Sequence, residues 1–240
     1  MAAQSRPPRF LLTRPAAQGA RFAESLRQRF PGAEITESPL IAPRFLAPPL
    51  PPGPFAAAIF SSETGVEAAR RLGGPLSPLA FCVGARTAKA AEDAGYRVQS
   101  AGLDAEDLLV TILHANPAGR LIHLHGAETR GNLAERLNSA GIVTYSIVVY
   151  AQDALPLTAE ARAMLAADHA VFVPLFSPRT AQLFTEEAAD ARAALHVAAL
   201  SPAVRSSLHL PTAALATAAH PDAASMLDAL SALVSGAGGA

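Results

Sequence analysis

Short apolar runs alternate with amphipathic stretches along most of the chain. The runs Phe10–Thr13, Ala57–Phe60, Phe81–Val83, Leu121–Leu124, Ala170–Val173 and Val197–Leu200 read as buried strands. Most are followed by a small or polar turn and then by residues with helical spacing of apolar positions. That alternation predicts parallel βα units.

The order of units repeats once. RFAESL at Arg21–Leu26 resembles NLAERL at Asn132–Leu137. Each is followed by a glycine (Gly32, Gly141) and a β-rich stretch. IFSSETGVEAA from Ile59 resembles LFSPRTAQLF from Leu175, and VGARTAKAA from Val83 takes the place of LSPAVRSSL from Leu200. Each pair is weak alone; the shared order carries the inference. Two extended stretches punctuate the pattern, a proline-rich one over 37–54 and a second over 147–151. Proline forbids helix there and stiffens the link.

The chain has 240 residues, of which 50% are hydrophobic and 16% charged, enough apolar material for one large or two small domains. The net charge of −1 gives no field to hold nucleic acid or an anionic membrane surface. No stretch has the length and apolarity of a membrane span, and the N-terminus shows no signal-peptide pattern. Cys82 is the only cysteine, which excludes an internal disulfide and suits a reducing compartment; the expected location is the cytoplasm.

In an open parallel sheet, ligands bind outside the carboxyl ends of the strands. The candidate turns here are Thr13-Arg14-Pro15, Ser61-Ser62-Glu63-Thr64, Gly84-Ala85-Arg86-Thr87, Gly126 to Arg130, Ser177-Pro178-Arg179-Thr180 and Ser201-Pro202. Each combines small or hydroxyl residues with a helix start, whose N–H groups and dipole favour anions. Arg14, Arg86, Arg130 and Arg179 add cations. Ordinary helix capping explains any one of these turns. Repetition at equivalent positions favours a ligand with many carboxylates.

Other chemistries find no support. Neither a dinucleotide fingerprint nor a phosphate-binding G-x-x-x-x-G-K-[ST] loop occurs. There is no G-x-S-x-G elbow. His123 and His125 share a strand face, but no third ligand stands at useful spacing, so they read as structural and no metal site is expected.

LLTRP at Leu11–Pro15, PLI at Pro39–Ile41, IFSSETGV at Ile59–Val66 and VGARTA at Val83–Ala88 occur in that order, followed by Gly126, VVY at Val148–Tyr150, FSPR at Phe176–Arg179 and LSP at Leu200–Pro202. In this series, over residues 10–234, the chain resembles bacterial uroporphyrinogen-III synthases. Together with the doubled pattern, the resemblance implies an α/β protein with two parallel-sheet lobes joined by a two-stranded β connector and a ligand cleft between the lobes. The expected first lobe is 10–36 plus 152–234 and the second 55–146. The connectors are 37–54 and 147–151, and 1–9 and 235–240 are flexible ends.

The resemblance further implies a monomer without cofactor. It implies that the enzyme cyclises hydroxymethylbilane to uroporphyrinogen III, inverting ring D through a spiro intermediate, with loss of water. It carries Tyr150 over as the residue assisting loss of the hydroxyl. It carries Arg14, Ser61, Ser62, Thr64, Gly84, Arg86, Thr87, Gly126, Arg130, Ser177, Pro178, Arg179 and Ser201 over as substrate-binding residues. Thr64 stands where many members have asparagine, and Ala203 and Val204 where some have threonines. Those departures leave one alternative, an inactive bilobal homologue that binds ligand or partner without turnover.

Overall fold

The computed structural model describes residues 7–101, 104–128 and 132–237. Its contacts divide the chain into two compact units, Met1–Ala42 with Ala154–Ala240, and Pro43–Asp153.

The chain opens with β1 (Arg9–Leu12), α1 (Ala16–Arg29) and β2 (Glu34–Glu37). It continues through β3 (Ile41–Phe45), β4 (Ala57–Phe60), α2 (Glu63–Arg71), β5 (Leu79–Val83), α3 (Gly84–Asp93), β6 (Arg97–Ala101), α4 (Ala105–Ala115), β7 (Leu121–Gly126), α5 (Leu133–Ser139) and β8 (Thr144–Ala154). It closes with α6 (Ala159–Ala166), β9 (Ala170–Leu175), α7 (Pro178–Glu187), β10 (Ala194–Ala199), α8 (Pro202–Ser206), β11 (Ala214–Thr217) and α9 (Ala223–Ala237).

The first unit holds a five-stranded sheet in the order β11-β10-β9-β1-β2, paired in parallel throughout. Two cores cover its faces. Phe184 of α7 and Leu165 of α6 pack with Val171, Val173 and Val197 on one side. Phe22 and Leu26 of α1 and Met226 and Leu230 of α9 pack with Phe10 and Phe172 on the other.

The second unit holds a six-stranded sheet in the order β3-β8-β7-β4-β5-β6. Its pairs β8–β7, β7–β4, β4–β5 and β5–β6 are parallel. Side chains alternate across it as a strand period of two demands. Ala58 and Phe60 point to the core under α2 and α3, Ala57 and Ile59 to the core under α4 and α5. Buried Cys82 lies in the former core, its thiol pushed up to about 12 by desolvation.

The sheet orders β2-β1-β9-β10-β11 and β8-β7-β4-β5-β6 run in parallel sense through equivalent elements, the pairing implied by the internal sequence repeat. In each sheet the chain leaves a central strand towards one edge and later returns on its other side. The strand order therefore reverses between β1 and β9 and between β4 and β7. Such reversals open a crevice at the carboxyl ends of the strands.

Several boundaries differ from the sequence reading. The proline-rich stretch contains β3, with Pro43 inside it, at the sheet edge where a missing N–H is tolerated. The stretch over 147–151 is the middle of β8, which pairs with both β7 and β3. Arg9 already belongs to β1 and α9 runs through Ala237, so those residues are not loose ends; 1–6 and 238–240 lie outside the described residues.

Candidate functional site

Because β4, β7 and β8 are neighbours, Ser61 and Ser62 after β4, Gly126 ending β7 and Tyr150 in β8 meet at one edge of the second unit's sheet. Ser62 caps α2, its Oγ accepting from Gly65 N–H at 3.1 Å. The same Oγ lies 3.1 Å from the Tyr150 phenol oxygen.

A register shift brings Tyr150 there. Through His125 the β7–β8 ladder runs without interruption, with His125 opposite Val148; Gly126 then faces Tyr150. The extra residue in β8 is a bulge, which re-aims the side chain that follows it. Gly126 makes room for the ring. A Cβ at this position would sit 2.6 Å from Tyr150 Cζ and 2.9 Å from its hydroxyl. The Ala127 N–H donates to the Tyr150 carbonyl at 2.9 Å and fixes the backbone.

Ser61, Ser62 and Tyr150 line a cavity of about 250 Å³ together with His123, Glu128 and apolar side chains of α4 and α5, Leu108 and Leu133. Arg136 of α5 forks onto Glu106 of α4, one oxygen at 2.8 Å, and ties the two helices together. A larger cavity of about 330 Å³ in the first unit is lined by alanines, Leu195, Leu210 and Pro211 around the amino end of β10. That is the wrong end of a parallel sheet for ligand chemistry, and it offers no titratable group.

The two histidines of β7 are in different states, although their rings lie 4.6 Å apart. His125 Nδ1–H donates to the Gly126 carbonyl (2.9 Å), which leaves Nε2 to accept from the Ser146 hydroxyl (2.7 Å). His123 is 3% exposed and its Nε2 has no hydrogen-bond partner. Desolvation, with His125 beside it, pushes its pKa down from 6.5 to about 3. Among the described residues no three metal-ligating side chains come together.

A pH dependence of stability follows. Between about pH 6.5 and 3 the unfolded chain takes up a proton that folded His123 refuses, so stability falls as pH drops through that window. The slope approaches about 1.4 kcal/mol per pH unit. Urea midpoints measured from pH 7 to 5, before carboxylates intervene, should decline in the wild type and stay flatter in His123→Leu.

Elsewhere in the second unit, Gly84 has φ 72, which only glycine adopts freely, and α3 starts there. Thr87 is consequently one turn inside α3 and buried rather than in the turn, while Arg86 is exposed. Thr64 is within the first turn of α2. None of Thr64, Gly84, Arg86 or Thr87 lines the cavity beside Tyr150. Arg130 lies outside the described residues.

In the first unit the other reversal point gathers Thr13 and Arg14 after β1 with Phe176 and Ser177 after β9, and Ser201 follows the adjacent β10. The Arg14 guanidinium lies 3.8 Å from the centroid of the Phe176 ring. Ser177 Oγ accepts from Thr180 N–H at 3.1 Å, and Pro178 occupies the first turn of α7 beside Arg179. Ser201 accepts from Val204 N–H at 3.4 Å. These hydroxyls cap their helices, so an incoming anion would meet chiefly backbone N–H groups.

Replacing Ser62 by alanine should remove both the α2 cap and the partner of Tyr150. We expect a stability loss of about 1 kcal/mol in urea unfolding, with turnover reduced but not abolished. Complete inactivity of a folded Ser62→Ala protein would assign Ser62 a direct chemical role instead.

The Uroporphyrinogen-III synthase HemD family model matches residues 20–228. No curated protein matches the chain. Among solved structures, uroporphyrinogen-III synthetase from Helicobacter pylori is similar with a TM-score of 0.63 at 16% identity, covering 94% of this chain and 99% of that one. A mutant uroporphyrinogen III synthase from Thermus thermophilus gives a TM-score of 0.48 at 14% identity, covering 95% and 99%. The Helicobacter likeness establishes a shared fold, and the family match spans most of the sequence. Among the described residues no helix is long and apolar enough to cross a membrane. With its α/β sheets, its repeated strand-order reversals and a family match over residues 20–228, the chain belongs to the uroporphyrinogen-III synthase family, cyclising lyases of heme biosynthesis.

Proposed function

We propose that this protein converts hydroxymethylbilane to uroporphyrinogen III and water, with Tyr150 assisting loss of the hydroxyl. The family match carries the reaction; the Ser62–Tyr150 pair beside a cavity supports the role of Tyr150. Ser62 already accepts from Gly65 N–H. If its own hydroxyl donates to the phenol oxygen, the phenol proton is left to donate to the departing oxygen. The C–O bond breaks with its electron pair going to oxygen, which takes the phenol proton and leaves as water, so that a phenolate and an azafulvenium cation remain. The cation is electrophilic without further activation, and the proton released on ring closure restores the phenol, so the chemistry itself calls for no cofactor.

The rest of the task is orientation. The flexible tetrapyrrole must be held so that ring D is attacked at its substituted carbon, passes through the spiro intermediate and inverts before closure. Helix starts at Ser62, Ser177 and Ser201, with Arg14, Arg86, Arg130 and Arg179, are the groups proposed to receive acetate and propionate carboxylates. The protein is proposed to work as a monomer in the cytoplasm, in line with its single cysteine and the resemblance.

Purified, chelator-treated protein should consume hydroxymethylbilane faster than the spontaneous reaction, with kcat unchanged by restoring divalent metal. A rate equal to the spontaneous one would refute the activity.

A further inference from the structure

Tyr150 reaches Ser62 because β8 carries one extra residue, Val149, where its register against β7 shifts. A bulge disrupts the ladder and bends its strand. The backbone around it must therefore be held by other bonds if the phenol is to stay 3.1 Å from Ser62. On the β3 side, Leu46 N–H donates to the Val149 carbonyl at 2.9 Å. On the β7 side the register with β4 ends at His123, before the shift.

There the hold comes from one peptide unit and one side chain. The peptide joining Gly126 to Ala127 is bound at both ends. Its N–H, that of Ala127, donates to the Tyr150 carbonyl at 2.9 Å. Its carbonyl, that of Gly126, accepts from His125 Nδ1–H at 2.9 Å. A peptide is planar, so the bond to the imidazole also sets the direction of the N–H. The imidazole is fixed in turn by Ser146, whose hydroxyl lies 2.7 Å from Nε2. Ser146 precedes the bulge on β8 and Tyr150 follows it. His125 thus ties the strand before the extra residue to the peptide that holds it afterwards. A carbonyl only accepts, so Nδ1 carries a proton whether the ring is neutral or charged, and the Ser146 hydroxyl serves either state.

We propose that His125 is a positioning residue for the loss of water. Its Nδ1–H, acting through the Gly126–Ala127 peptide, holds Tyr150 where the phenol can protonate the departing hydroxyl. This rests on the role proposed above for Tyr150. The ring of His125 is half-buried and does not line the cavity beside Tyr150, so it acts through the backbone rather than on the substrate. A misaimed phenol leaves substrate binding intact and delivers its proton from a poorer geometry. The loss therefore falls on kcat rather than KM.

Three substitutions separate this role from simple strand tying. His125→Asn keeps an N–H donor near the place of Nδ1. His125→Gln puts its amide near Nε2 and withdraws the donor from the Gly126 carbonyl. His125→Leu removes both. Kinetics with enzymatically generated hydroxymethylbilane, product isomers and urea midpoints are measured for each, alone and combined with Tyr150→Phe. His125→Gln and His125→Leu should lose roughly tenfold in kcat with KM little changed, and His125→Asn should retain most of the activity. On the Tyr150→Phe background, where no phenol remains to be aimed, His125→Gln should cost less than about twofold further. Wild-type kcat in His125→Gln, equal losses in His125→Asn and His125→Gln, or a full further loss on the Tyr150→Phe background would each overturn the proposal and leave the reaction standing. The decisive comparison is Asn against Gln, so it holds even where His125→Leu does not fold. Type I product at the protein-free level from wild type would refute the reaction itself, and the role of His125 with it.

Discussion

Gly126→Ala should cripple the enzyme although it adds one methyl group. The new Cβ would fall 2.6 Å from Tyr150 Cζ and 2.7 Å from Cε2, where no real Cβ sits. Neither partner yields cheaply: Gly126 is in the β7–β8 ladder, and Tyr150 belongs to the buried core that also holds Val149 and Phe60. Overpacking of this kind costs about 1–3 kcal/mol of stability. Relief requires the ring to swing away, which breaks the 3.1 Å contact with Ser62. We expect kcat to fall at least as far as in Tyr150→Phe, together with a lower urea midpoint. A double-mutant cycle isolates the cause: on a Tyr150→Ala background, Gly126→Ala should cost little further stability. A full additional penalty there would place the strain elsewhere.

Tyr150→Phe keeps the ring and removes only the hydroxyl. Deleting one preorganised donor to a developing anion costs on the order of 3 kcal/mol when departure is difficult. Here the leaving step is intrinsically facile, so a loss of roughly 10- to 100-fold in kcat is expected. KM should change little, because the bond strengthens only as the oxygen departs. Folding should be near wild type, since Ser62 keeps its cap to Gly65. The product should remain type III, because inversion depends on how the tetrapyrrole is held. Unchanged kcat would remove Tyr150 from the mechanism.

Much of this was legible in the amino-acid pattern because it is local. Ala57–Phe60 reads as a strand from its unbroken apolar run, and Ser62 and Ser177 read as caps from the residue types around them. The internal repeat anticipated two α/β lobes built from repeated units; the strand orders come from the structure. Strands with a weak apolar signal were not legible: β6 (RVQSA) and β11 (ALAT) are edge strands, where one side needs no apolar neighbour. The segment of β8 reads as β-rich and 147–151 as one strand of the β connector; that it is a single long strand between β7 and β3 depends on non-local pairing.

The meeting of Ser62 with Tyr150 is not local either. It depends on β7 returning beside β4 and on a one-residue shift opposite Gly126. Thr87 looked like a turn hydroxyl, but Gly84 starts the helix early and carries it inside. His123 reads as structural from the sequence, and so does His125 two positions on. Only the hydrogen-bond partners separate the two histidines.

The central claim is tested most directly by the isomer formed. Hydroxymethylbilane, generated enzymatically in the assay, is given to the purified protein, and the oxidised products are separated into type I and type III uroporphyrins. The account predicts predominantly type III with wild type and with Tyr150→Phe, the latter more slowly. Type I at the level of a protein-free control, from folded wild-type protein, would contradict it.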